Sequence, residues 1–253
     1  MQSVLVIGAH PDDETMLVGG TIALLTSSGV QVHILSATRG EGGEMGDPPL
    51  GPRKALGAIR EQELRCAARA LGASSVQFLG YVDPVVGPDD ELYPFEADFD
   101  ELVARIAGAI RSVQADVVLS HGSSGEYGHP AHRLVHRAVA EAIARISDPP
   151  IFYSFAAELP GVEDRLWNES DPAHLALDIR PWLDQKEAAA RCHVTQHPLF
   201  VRNHPGKTIR EALRKIETFH RHHPPVESGE PLHDPFADLL QAAGAWIPEH
   251  GGR

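Results

Sequence analysis

Five short strand-like runs alternate with longer stretches of helical spacing, and this alternation leaves few architectures open to the chain. The runs span residues 4–8, 31–37, 75–79, 116–120 and 151–155, and helical stretches of residues 15–27, 52–71, 99–113 and 129–146 separate them. Pro52 suits a first helical turn and Gly72 a helix stop. Leu102, Val103, Ile106 and Ile110 share one helical face. Strands that alternate with helices build a mostly parallel sheet covered on both faces, with right-handed crossovers. In the order 3-2-1-4-5 the connection reverses between strands one and four, and ligands bind there, beyond the carboxyl ends of the strands.

After residue 156 the pattern loosens. Residues 175–179 read as a strand, and residues 181–193 and 208–221 as helices. His220, His222 and His223 then fall at a helix C-terminus, where solvated imidazolium groups suit the dipole. The expected organisation is one domain over residues 1–223, with a core of 1–156 and a C-terminal part of 157–223. A Pro/Gly/His-rich tail over 224–253 is expected to extend along the surface, with a short helix near 236–244.

A formal charge of -13 argues against a nucleic-acid backbone or an anionic membrane as the main partner. No apolar run reaches the length of a membrane span, and none reads as a signal peptide. Cys66 and Cys192 form no Cys-x-x-Cys pair, a usage that fits a reducing cytoplasm. The expected protein is soluble and cytoplasmic with a small-molecule partner. Its oligomeric state is left open, a homo-oligomer included.

The first strand ends in His10-Pro11-Asp12-Asp13-Glu14. Three adjacent carboxylates repel one another unless a cation or a reaction uses them. Across the predicted crevice lies the loop after strand four, which contains Tyr127, His129 and His132. Two neutral imidazoles and one carboxylate make a three-ligand set for Zn2+ with a position open for water. Asp12, beside a ligand, has the place of a general base. The remaining imidazole can stabilise an oxyanion or protonate a leaving amine. Tyr127 is either a hydroxyl donor to that oxyanion or a packed rim aromatic.

Ala9-His10-Pro11-Asp12-Asp13-Glu14 together with Gly128-His129-Pro130-Ala131-His132 resembles the PIG-L/LmbE-like zinc de-N-acetylase family. Thr38-Arg39-Gly40-Glu41-Gly42-Gly43, the Arg60–Gly72 helix and Lys186 through Gln196 are similar to further segments of it. The resemblance implies a Rossmann-like α/β/α fold without a dinucleotide, and zinc ligands His10, Asp13 and His132. It also implies Asp12 as base, His129 as second catalytic group, a carbonyl-polarising Tyr127, and Arg60 and His193 on the substrate side. The implied reaction is removal of the N-acetyl group from an N-acetylglucosamine conjugate. Two alternatives stand beside it: an amidase acting on a thiol-sugar conjugate or another amide, and a zinc- or sugar-binding protein without catalysis.

Overall fold

The first strand, β1 (Ser3–Gly8), is buried at every position, as an interior strand of a two-sided sheet must be. It pairs in parallel with β2 (Gln31–Thr38) on one side and β4 (Val117–Ser120) on the other. Beyond these lie β3 (Ser75–Tyr81) and β5 (Ile151–Phe155), also parallel. In this computed structural model, which describes residues 1–162, 166–226 and 232–249, the seven-stranded sheet has the order β3-β2-β1-β4-β5-β9-β8. The expected 3-2-1-4-5 core is present, extended by β9 (Ile216–His223), antiparallel to β5, and then β8 (Leu175–Asp178), antiparallel to β9. A two-stranded sheet of β6 (Ala157–Glu158) and β7 (Asn168–Pro172) lies beside it.

The three layers follow from two apolar cores. Helices α1 (Asp13–Ser27), α2 (Leu56–Leu71) and α5 (Leu183–Cys192) contribute to one. Helices α3 (Phe99–Ser112) and α4 (Pro130–Ala144) close the other. Two short helices, α6 (His197–Val201) and α7 (Ile209–Ala212), follow α5. Gly72 caps α2 in the left-handed conformation at φ 77°, as the sequence predicts.

Three expectations are corrected. The helix predicted over 208–221 is one turn, α7, followed by β9. The spacing Ile209, Leu213, Ile216 imitates a helix. However, β5 needs a hydrogen-bonding neighbour, and consecutive burial of Glu217, Thr218 and Phe219 suits a strand covered on both faces. His220, His222 and His223 therefore lie on a strand, not at a helix end.

The tail is also not a surface extension. Helix α8 (Pro235–Ala242) buries Phe236, Ala237 and Leu240, with Phe236 against Tyr153 and Phe219. Asp234 caps it through the amides of Phe236 and Ala237 and accepts the Tyr153 hydroxyl at 2.5 Å. Residues 227–231 and 250–253 of the predicted tail lie outside the described residues.

Finally, Cys66 and Cys192 are bonded to each other, with Cα atoms 5.7 Å apart. Packing of α2 against α5 brings together cysteines separated by 126 positions. Their pairing removes cysteine usage as an argument for a reducing compartment. Among the described residues, no helix is long and apolar enough to cross a membrane.

Candidate active site

The turn from β1 into α1 and the loop from β4 into α4 meet at the carboxyl edge of the sheet. Asp12 occupies the N-cap position of α1, but its side chain makes no capping bond. It adopts φ 127°, a strained conformation for a residue with a Cβ. Its Oδ2 lies 3.4 Å from Nη2 of the buried Arg60, and its amide donates to Glu14 Oε2 at 3.0 Å. Helix capping thus does not explain Asp12. Burial pushes its carboxyl up to about 7 against the Arg60 guanidinium, and the Asp13 carboxylate adds to the rise.

Two imidazole nitrogens and the two oxygens of one carboxylate converge beside it. His10 Nδ1 is 3.3 Å from His132 Nε2, His132 Nε2 is 3.5 Å from Asp13 Oδ1, and His10 Nδ1 is 3.7 Å from Asp13 Oδ2. Ligands about 2.0–2.1 Å from a tetrahedral metal are about 3.3–3.5 Å apart, so the three side chains fit a small divalent cation. The outer nitrogens support this assignment. His10 Nε2 lies 3.2 Å from Asp83 Oδ1, and His132 Nδ1 lies 2.5 Å from Glu126 Oε2. A carboxylate behind each imidazole fixes the ring and its tautomer, with the inner nitrogen left as the electron-pair donor.

His129 differs in a way that separates it from these two. As N-cap of α4, its Nδ1 accepts the Ala131 amide at 3.2 Å. The neutral ring therefore carries its proton on Nε2, which makes that atom a donor rather than a ligand. Burial, reinforced by His132 and His10, pushes His129 down to about 2 and keeps the ring neutral. The ring stacks on His132 at a centroid distance of 4.4 Å. Tyr127, 51% exposed, stands edge-on to both rings at 5.7 Å.

Arg60 and His193, expected on the substrate side, are 2% and 0% exposed. Arg60 donates to the carbonyls of Gly40 and Pro11, and His193 Nε2 lies 3.0 Å from Glu14 Oε1. Both brace the turn that carries Asp12. The glycines after β2 have their reason here. A Cβ on Gly40, at φ 68°, would lie 2.1 Å from Arg60 Nη1, and one on Gly42 would lie 1.9 Å from the Pro84 carbonyl oxygen. The loop can close over Arg60 and toward Asp83 only without side chains at these positions.

Sequence reasoning missed Asp83 and Glu126. Asp83 follows β3 in a stretch with no regular pattern, and nothing local marks it as a partner of His10. Glu126 stands six residues before His132, at φ 59°, and accepts from both His132 and His121. His121 also contacts Asp13 at 3.1 Å. Although burial opposes it, the Glu126 and Asp13 carboxylates push His121 up to about 10.

The sequence model described as "PIG-L: GlcNAc-PI de-N-acetylase" matches residues 5–143. The chain is 32% identical over 234 residues to the 1D-myo-inositol 2-acetamido-2-deoxy-alpha-D-glucopyranoside deacetylase of Acidothermus cellulolyticus, covering 78% of this chain and 80% of that protein. The structure of the 4-carboxy-2-hydroxymuconate hydratase GalB from Pseudomonas putida KT2440 is similar at 27% identity and a TM-score of 0.63, covering 91% of this chain and 100% of that one. The N,N'-diacetylchitobiose deacetylase from Pyrococcus horikoshii shares the fold, with 21% identity, a TM-score of 0.62, and coverage of 94% and 89%. With its motifs carried on this fold, the chain belongs to the PIG-L, or GlcNAc-PI de-N-acetylase, family.

Proposed function

We propose that the protein is a zinc-dependent hydrolase that removes the N-acetyl group from a 2-acetamido-2-deoxyglucose unit joined to a small aglycone such as an inositol. The observation that carries this reading is the division of labour among adjacent groups. His10, Asp13 and His132 converge as a ligand set with carboxylates behind both rings, while Asp12 and His129 stand beside them uncommitted to it. A protein that merely retains zinc needs neither of the latter two.

A divalent cation in this set supplies Lewis acidity for the acetyl carbonyl and lowers the pKa of water toward neutrality. Asp12 takes the proton from the attacking water and later delivers it to the amine nitrogen, so that the C–N bond breaks as acetate and free amine form. His129, through Nε2–H, donates to the oxygen that gains negative charge, and the exposed Tyr127 hydroxyl adds a second donor there. Arg60 and, through Glu14, His193 hold the Asp12 turn. They are positioning residues, a change from the substrate-contact role first expected.

Acetate release by the zinc-loaded protein tests the reaction on the inositol conjugate, on N,N'-diacetylchitobiose and on free N-acetylglucosamine. Release from the conjugate well above the free sugar is expected. The likeness to a hydratase supplies the competing reading, so a 4-carboxy-2-hydroxymuconate is included. Its hydration without any acetate release would replace the deacetylase assignment.

The carboxylates behind the ligands give a separate expectation. Asp83→Asn and Glu126→Gln should each weaken zinc affinity by about 10–100-fold, measured by competition with a chelating dye. Unchanged affinity in both variants would remove them from the metal's support.

A further inference from the structure

A second group of donor atoms lies on the far side of the β4–α4 loop. His220 and His222 are alternate residues of β9, so both project from one face of the sheet, while Phe219, the residue before them, enters the first core on the opposite face. Asp171, on β7, is buried beside them. One ligand atom from each of the three lies within 4.8 Å of the other two. His222 Nε2 is 3.6 Å from Asp171 Oδ2, and the two imidazole rings are 4.6 Å apart. A third ring, His136 of α4, stands edge-on to His222 at 4.9 Å.

The surroundings orient these donors. His220 Nδ1 donates to the Pro172 carbonyl at 2.7 Å, which fixes the ring and puts the electron pair of its neutral form on Nε2. His136 Nδ1 likewise donates to the His121 carbonyl at 2.9 Å. Asp171 accepts from the Ser123 amide at 2.7 Å and the Ser123 hydroxyl at 2.6 Å, so its carboxylate is held in place. His222 Nε2 also meets Ser154 Oγ at 2.9 Å, a contact that an incoming ion would replace. His222 also stacks on Phe152 at 4.9 Å, and protonated rings at this spacing would repel one another. Neutral rings around a cation remove that cost. Two imidazoles and one carboxylate suit Zn2+, Co2+ or Ni2+, whereas Mg2+ and Ca2+ prefer all-oxygen sets.

We infer that Asp171, His220 and His222 form a second transition-metal site that ties β7 to β9, separate from the His10–Asp13–His132 set. It shares no ligand with the first set. Asp171 ties it to the β4–α4 loop by holding Ser123, three residues before Glu126.

Native mass spectrometry and Co2+ titration of the full chain at neutral pH, with the free ion buffered at micromolar level, count the sites. Wild type should bind two ions. The double variant His220→Ala/His222→Ala should bind one and keep its acetate-release activity, whereas His132→Ala should lose the first ion and keep the second. Mg2+ in place of Co2+ should leave the second site unfilled. A single ion in wild type that the double variant still binds, or two ions retained by the double variant, would overturn the inference. Should the double variant fail to fold, anomalous scattering at the zinc edge from wild-type crystals decides. A peak between Asp171 and the two histidines supports the site, and a peak only at the first set rejects it.

Discussion

Replacement of Asp12 by asparagine should lower kcat by about 10²–10⁴-fold and leave the bound metal in place. Asparagine tolerates positive φ better than most residues, so the turn at φ 127° can persist. In the proposed scheme the ligand atoms belong to His10, Asp13 and His132, so elemental analysis should find the same metal content as in wild type. What the variant loses is a carboxylate able to accept a proton from water and return it to the amine. Arg60 keeps its bonds to the Gly40 and Pro11 carbonyls, which limits the structural cost. His132→Ala is the contrasting case, since metal and activity should disappear together. Full activity in Asp12→Asn would reject the base assignment, and loss of its metal would move Asp12 into the ligand set.

The second large effect lies away from the site. Lys186, on α5, is fully buried, and its Nζ contacts Glu217 Oε1 of β9 at 2.7 Å. Glu217 also accepts the amides of Gly20 and Thr21 of α1 at 2.8 and 2.7 Å. One ion pair therefore joins α1, α5 and the first antiparallel strand added to the core sheet. Lys186→Met keeps most of the side-chain volume and leaves the carboxylate buried without its cation. The expected loss is about 3–5 kcal/mol, read as a lower urea midpoint at unchanged slope. Lys186→Met/Glu217→Gln should recover part of it, because the uncompensated charge is gone. A loss below about 1 kcal/mol in the single variant would show that the two backbone amides alone stabilise Glu217.

Half of the candidate site was legible because its chemistry is written locally. His10 and Asp13 are three residues apart at a strand end, and His129 and His132 share the first turn of a helix. The alternation of strands and helices then places one pair opposite the other. The sheet order followed from the same alternation, and so did the parallel core. Asp83 and Glu126 were not legible. A carboxylate that orients a histidine looks, in sequence, like any surface acid. Arg60 was noticed but misplaced: the chain shows a helical arginine, and only the fold shows it buried beneath Asp12.

The C-terminal third went wrong for a related reason. Residues 209–216 have helical spacing, but a strand edge at β5 offered a full row of hydrogen bonds, and that non-local demand outweighed local preference. The same switch turned three histidines from a presumed helix end into a strand face, where two of them meet Asp171. By itself the sequence determined the parallel core, the crevice and the residue types that meet there, because periodicity and short motifs act within a few positions. Only the tertiary structure decided which carboxylate stands behind which imidazole, where β8 and β9 add to the sheet, and that Cys66 meets Cys192. Each of those contacts joins elements whose spacing along the chain carries no signal of their proximity in space.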